Sequence, residues 1–259
     1  MSHPTRRFDE LRAPEVDAHL SASSVVVLPL GAIEQHGPHL PLNTDLVVAS
    51  AAAEALVERA GTEFDAWLLP PLAYTKSNEH AWAAGTIWLS ATTMLAVLDD
   101  IGRCIAATPA RKVLFLNGHG GNSALVSVAN RELRLRHGLQ TFLAHPHVPA
   151  DQGGSSHAME LGMGVHGGMD ETSVMLHLRP DLVDMSRAVR RVPEGLQDNR
   201  HVRFGGSVPF GWLSHDFFPE GIIGDPTGAT AEVGAAMFSG AIDALAGALA
   251  EISRFDFGR

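Results

Sequence analysis

Short apolar runs, each ending in a glycine-rich or polar turn, alternate along this chain with stretches whose apolar positions recur every three to four residues. Val25-Val26-Val27-Leu28 reads as a fully buried strand. Positions 46–59 then carry a helical stripe, Leu46, Val47, Ala53, Leu56 and Val57, closed by Gly61. Trp67-Leu68-Leu69 is a short strand halted by Pro70-Pro71. Ser90 is placed to cap a helix with Leu95, Leu98, Ile101 and Ile105 at helical spacing, and Pro109 marks its far side. Val113-Leu114-Phe115-Leu116 is a second buried strand. The turn Asn117-Gly118-His119-Gly120-Gly121 leads from it into a helix, capped by Asn122 or Ser123, with Leu125, Val126, Ala129 and Leu133 on one face and Gly138 at its end. Thr141-Phe142-Leu143-Ala144 supplies the next strand. Strand, helix, strand in this order implies a parallel sheet with a right-handed crossover.

The ends of the chain are less regular. Residues 1–24 read as a short helical arm, with Val16 and Leu20 one turn apart, lying on the surface or on a partner subunit. Residues 145–169 carry no clear period, after which Val174, Met175 and Leu178 resume a buried pattern. Residues 180–225 are loop-dominated and proline-rich. Asp225 or Thr227 is expected to open a long final helix with Val233, Met237, Ile242, Leu245, Leu249 and Ile252 facing inward. Its glycines, Gly234, Gly240 and Gly247, each cost roughly 1 kcal/mol relative to Ala, which tight packing against the sheet or a neighbouring subunit would explain.

At 259 residues, 45% hydrophobic and 19% charged, the chain can bury one large core, and 1–259 is read as a single α/β domain. The formal charge of −10 argues against nucleic acid or an anionic membrane as partner. Cys104 is the only cysteine, so there is neither a disulfide framework nor a Cys-based zinc site, which fits a cytoplasmic protein. Residues 1–10 show no signal-peptide pattern, and no run is read as approaching the roughly 20 apolar residues of a membrane span.

Polar chemistry concentrates in the turns after the buried strands, where α/β proteins line a shared crevice. The turn after Val25–Leu28 carries Glu34, His36 and Asp45. Glu34 and His36, two apart in extended backbone, leave on the same side, and mixed oxygen and imidazole donors suit Zn, Mn or Fe(II). The competing reading makes Asp45 or Thr44 a helix cap, Glu34 a solvated residue and His36 a core histidine. His119 stands at the end of the second strand, beside Gly120 and Gly121, which let backbone approach a ligand closely. The 73–90 loop, with Ser77, His80 and several aromatics, is long for a passive connection. It is a substrate-contacting segment, the cover of a core edge, or a subunit contact. On the first of these readings Ser77, His80 and Gly120 are candidate substrate contacts.

Three separated pieces, Glu34-Gln-His-Gly-Pro-His with Thr44-Asp45, Asn117-Gly-His-Gly-Gly-Asn122, and His166-Gly-Gly-Met-Asp-Glu171-Thr-Ser, resemble the creatininase (creatinine amidohydrolase) family. The resemblance continues through Gly224-Asp225-Pro226-Thr227 and Ala229-Thr230-Ala231-Glu232 and so covers nearly the whole chain. It implies a three-layer α/β/α sandwich with a mostly parallel central sheet, assembled as a homohexamer, and a centre of two divalent metals, Zn or Mn, with Fe a further candidate. Glu34, His36, Asp45, His119 and Glu171 would be the metal ligands. Asp45 would bridge, with Glu34 and His119 on one metal and His36 and Glu171 on the other. His166 and Glu171 would take part in catalysis, His166 delivering a proton to a leaving nitrogen after water activated between the metals attacks.

The departures bear on substrate. Creatininase itself carries a tyrosine and a carboxylate directly after the histidine matching His119, where this chain has Gly120 and Gly121, and tryptophans in the segment where residues 145–165 have none. The expected activity is therefore hydrolysis of a C–N bond other than an ordinary peptide bond, in a cyclic amide, a formamide or a small peptide-like molecule, rather than of creatinine. Cleavage of a cyclic ketone or lactone on the same metals is the alternative. A non-catalytic oligomer whose metals hold the fold would instead show an occluded centre closed by the 73–90 loop.

Overall fold

A computed structural model describes residues 5–258. Four strands, β1 (Val25–Leu30), β2 (Ala66–Leu68), β3 (Lys112–Asn117) and β4 (Gln140–Ala144), form one parallel sheet in the order β2-β1-β3-β4. Between them run α2 (Thr44–Ala60), α3 (Ala91–Ala106) and α4 (Ser123–His137), preceded by α1 (Ala13–His19) and followed by α5 (Met169–Leu178) and α6 (Ala231–Arg254).

β1, β2 and β3 are buried on both faces and β4 is half-buried, and the period-two alternation of the strands divides two cores. Val26, Leu28, Leu30, Val113 and Phe115 pack against Met94 and Leu98 of α3 and Val126 and Leu133 of α4. Val25, Val27, Leu114 and Leu116 pack on the opposite face against Leu56 of α2 and Ile242, Leu245 and Leu249 of α6. The result is the expected α/β/α sandwich.

Local chemistry sets several boundaries. Ser90 Oγ accepts from Thr93 N at the start of α3, and Gly138 ends α4 in the left-handed region at φ +70°. Asn122 occupies the cap position of α4, but its side chain turns inward, donating to Thr75 Oγ1 (3.1 Å) and Asn117 Oδ1 (3.2 Å).

Three expectations are corrected. Thr230, not Asp225 or Thr227, caps the last helix, because Asp225 accepts from Thr227 in a separate short turn. Within α6, Val233 faces outward and Met237 is half-buried. Of the helix's glycines only Gly234 is explained by packing. A Cβ there would lie 1.8 Å from Ser173 O of α5, whereas Gly240 and Gly247 face open space.

The arm at the beginning docks on its own chain, with Leu20 buried and Phe8, Leu11 and Val16 packed on the α3/α4 side; residues 1–4 lie outside the described part. Among the described residues α6 alone is long and apolar enough to cross a membrane, with mean hydropathy 1.6. This corrects the expectation that no run reaches that length and apolarity; in the fold the same helix seals the sheet through Ile242, Leu245, Leu249 and Ile252.

In this sheet β1 and β3 are neighbours whose following connections run in opposite directions, from β1 toward β2 and from β3 toward β4, so a crevice opens between their carboxyl ends. Leu30 and Asn117, the last residues of those strands, are direct partners. The Glu34/His36 turn and the His119 turn therefore leave the sheet side by side.

Candidate metal centre

Glu34 and His36 follow β1, and Asp45 sits in the first turn of α2, whose start the intervening loop folds back over them. Glu34 is fully buried (0% exposed), so it is not a solvated residue. Nor does Thr44 or Asp45 cap α2: the Thr44 hydroxyl donates to Pro41 O, and Asp45 Oδ1 faces His36 Nε2 at 3.1 Å. His119, from the turn after β3, brings Nδ1 to 3.3 Å from Glu34 Oε2 and 3.2 Å from Asp45 Oδ2. Glu171 arrives in the first turn of α5, where Gly167 N donates to its Oε2 at 2.6 Å. His166 stacks tilted against His36, with ring centroids 4.2 Å apart.

These groups fall into overlapping triads whose donor atoms lie within 4.8 Å of one another: Glu34, Asp45 and His119; His36, Asp45 and Glu171; Glu34, His36 and His166. Asp45 is shared by the first two. Hydrogen bonds set the tautomers. His36 Nδ1 faces Glu34 O at 3.2 Å and His119 Nε2 faces Lys76 O at 3.0 Å, so each imidazole donates one proton to a backbone carbonyl and turns its other nitrogen, the one a metal would take, on Asp45.

Without a cation the centre holds its charge awkwardly. Burial raises the Glu34 carboxyl and pushes Glu171 up to about 7. Burial opposes charge on His36 as well, yet Asp45, followed by Glu171 and Glu34, outweighs it and pushes His36 up to about 10. Asp45 is drawn well down by His36 and His119 against the opposing effect of burial. Glu34 Oε1 and Asp45 Oδ2 are buried and make no well-formed hydrogen bond, meeting only the ring nitrogens of His80 and His119 at 3.3 and 3.2 Å. Buried carboxylate oxygens of this kind are costly unless a charge is supplied, and a mixed carboxylate and imidazole set fits divalent Zn, Mn or Fe(II).

The 73–90 loop turns its polar side inward. Ile87 N donates to Ile33 O and Gln35 N to Thr86 Oγ1, laying the loop along the Glu34 turn. Ser77, expected as a substrate contact, is fully buried behind Glu34 and donates to Glu34 Oε2. His80 is also buried, its Nε2 3.3 Å from Glu34 Oε1, although it reaches the cleft wall. Gly120 lines the cleft as expected, and its carbonyl accepts from Gln152 Nε2 at 2.7 Å.

Above the donors lies an open cleft of about 560 Å³. The centre is therefore not occluded, as a purely structural site would require. Several of its walls escaped the sequence reading. Lys76, Glu79 and Asp151 face the His119 side, and Phe210 and Trp212 of the irregular 180–225 stretch supply the aromatic wall that residues 145–165 lack. Asp151 is pushed up to about 6 by burial. A polar and aromatic loop hinted at Glu79, but nothing in the 180–225 pattern singled out Trp212.

A family model described as creatininase, creatinine amidohydrolase, matches residues 9–249. The chain belongs to the creatininase family. It is 36% identical over 224 residues to a mycofactocin precursor peptide peptidase of Mycobacterium ulcerans (strain Agy99), covering 84% of this chain and 81% of that one. It is 35% identical over 202 residues to a creatinine amidohydrolase of Pseudomonas putida, covering 71% and 76%. Among solved structures, one described as creatininase Mn superposes with a TM-score of 0.74 at 28% identity, covering 97% of this chain and all (100%) of that one. A creatininase mutant of zinc–zinc type gives 0.73 at 28% identity, covering 98% and 100%. The chain is also 23% identical over 257 residues to a 3-dehydro-scyllo-inosose hydrolase of Thermotoga maritima, covering 90% and 79%.

Proposed function

We propose that residues 1–259 act as one metal-dependent hydrolase domain that cleaves the C–N bond of a small peptide-like amide. The observation that carries this reading is the buried set around Asp45, with Glu34 Oε1 and Asp45 Oδ2 making no well-formed hydrogen bond and facing only imidazole nitrogens at the floor of an open cleft. Glu34, Asp45 and His119 would hold one divalent ion, and His36, Asp45 and Glu171 a second, zinc or manganese, with Fe(II) suited to the same donors. Such ions supply Lewis acidity for a carbonyl and lower the pKa of a water to near neutrality.

The remaining work falls to side chains. Burial, then the charge of His36, pulls the His166 pKa well below its ordinary value, so the ring is neutral near pH 7. Its Nε2 donates to Gln35 O at 2.7 Å, which leaves Nδ1 free and 3.7 Å from Glu34 Oε1, on the donor side. In that tautomer His166 first takes a proton at Nδ1 and then hands it to the leaving nitrogen. Gln35 Nε2 lies 2.9 Å from His80 Nδ1, which places the His80 proton on Nε2, toward Glu34.

Two observations favour a peptide-like substrate, whose scissile bond need not be other than a peptide bond. Relatives named as peptidases align over more of the chain than the one named creatinine amidohydrolase. Beyond the donors the cleft is lined by the small side chains of Ser123, Ala124 and Ser127, which leave room for an extended chain. The homohexamer belongs to the same proposal, and exposed Tyr74, Ile87 and Trp88 on the 73–90 loop offer an apolar face for it.

A panel of short peptides, cyclic amides, formamides, lactones and cyclic ketones, assayed with added Zn or Mn, tests this reading. Metal-dependent cleavage of peptides is expected. Turnover confined to lactones or ketones, or undiminished by a chelator, would overturn it. Sedimentation at six chain masses is the expected assembly.

A further inference from the structure

His119 is gripped from behind as well as from the donor side. While Nδ1 faces Glu34 and Asp45, Nε2 looks back toward Lys76 O at 3.0 Å and Glu79 Oε1 at 3.4 Å. The Glu79 carboxylate is itself fixed, because Lys76 Nζ holds its other oxygen, Oε2, at 2.6 Å. Its backbone is tied down too: Glu79 O accepts from Ser214 N at 3.1 Å and Ser214 Oγ at 3.2 Å.

Gly121 connects to this arrangement through space rather than through backbone conformation. A Cβ at that position would stand 1.7 Å from Glu79 Oε1 and 2.4 Å from His119 Nε2. The volume a side chain at 121 would fill is thus the volume in which Glu79 meets the imidazole, so the glycine and the glutamate depend on each other.

We propose that Glu79 is the positioning residue of the metal centre, a carboxylate that orients His119 from the side away from the donors and that only glycine at 121 admits. This rests on the metal-dependent reading above. A carboxylate behind a ligating imidazole fixes its ring and raises its basicity, and loss of such a partner typically weakens metal binding about 10- to 100-fold.

The test uses the full chain and zinc alone, with affinity read by competition against a chelating dye. Metal-stripped wild type, Glu79→Gln, Glu79→Asp and Gly121→Ala proteins are titrated, and the thermal midpoint of each stripped protein is measured alongside. Glu79→Gln is expected to bind zinc about 10- to 100-fold more weakly with its stripped midpoint unchanged, and Glu79→Asp to recover part of the loss. Gly121→Ala should reproduce the weakening although Glu79 is intact, because its methyl group displaces the carboxylate. Wild-type zinc affinity in folded Glu79→Gln and Gly121→Ala proteins would overturn the assignment while sparing the metal reading. A stripped midpoint that falls in step with affinity in all three variants would reduce Glu79 to a fold-stabilising role. A wild type that takes up no zinc would remove the metal reading and this proposal together.

Discussion

His36 Nε2 and Asp45 Oδ1 face each other at 3.1 Å in a fully buried space, the imidazole from the turn after β1 and the carboxylate from the first turn of α2. In the metal-free protein this pair keeps a proton, since Asp45 helps push His36 up to about 10 against the effect of burial. An incoming cation must displace it, along with part of a proton on Glu171, which burial pushes up to about 7. Metal uptake therefore releases protons, and apparent affinity rises with pH between 6 and 8. Calorimetric titration in buffers of different ionisation enthalpy measures this directly; a heat independent of buffer, with an affinity flat in pH, would contradict it.

Replacing His166 by Gln removes the proton carrier without removing a donor shared by both proposed ions. The expected result is unchanged metal content with kcat lowered by roughly 10²- to 10⁴-fold. Loss of metal in the variant would instead make His166 a ligand, through its triad with Glu34 and His36.

His39 is nearly inaccessible (1% exposed), with Nε2 2.9 Å from Thr172 Oγ1, and burial, then the charge of His36, lowers its pKa to about 4. Its folded pKa lies below the unfolded value of 6.5, so its stabilising contribution is complete above 6.5 and is lost as pH falls toward 4. The slope across that window is about 1.4 kcal/mol per pH unit. Denaturant unfolding of wild type and His39→Gln at intervals from pH 7 to 4 should show a shallower decline in the variant. Parallel curves would refute the assignment.

The glycines of α6 should part company on substitution. Gly234→Ala forces a methyl group toward Ser173 O and is expected to destabilise by about 1–3 kcal/mol. Gly240→Ala and Gly247→Ala, facing open space, should stabilise by up to about 1 kcal/mol each through helix propensity. Chemical denaturation midpoints check both signs. Destabilisation at Gly240 or Gly247 would point to a surface that another chain covers.

These contrasts show what could be read in the sequence. β1 and β3 were legible because strands buried on both faces are continuous apolar runs, and Glu34, His36 and His119 because they interrupt such runs at strand ends. Glu171 needed the family resemblance, since only the fold of α5 brings it to Asp45. Ser77 and His80 were found as polar loop residues, but their direction, inward onto Glu34, depends on the pairing of Ile87 with Ile33, which has no periodic signature. Trp212 was missed for the same reason. Gly121 was legible as a close backbone approach and as a departure from the carboxylate of creatininase, but that Glu79 occupies the space it leaves depends on how the 73–90 loop folds.

The central claim is that Glu34, His36, Asp45, His119 and Glu171 hold divalent metal on which amide hydrolysis depends. Its most direct test is peptide hydrolysis by chelator-stripped protein before and after zinc or manganese is restored, with Asp45→Asn as the comparison. The account predicts no turnover when stripped, recovery on reconstitution, and neither full metal loading nor recovery in Asp45→Asn. Hydrolysis at full rate by stripped protein, or by an Asp45→Asn variant loaded as completely as wild type, would contradict it.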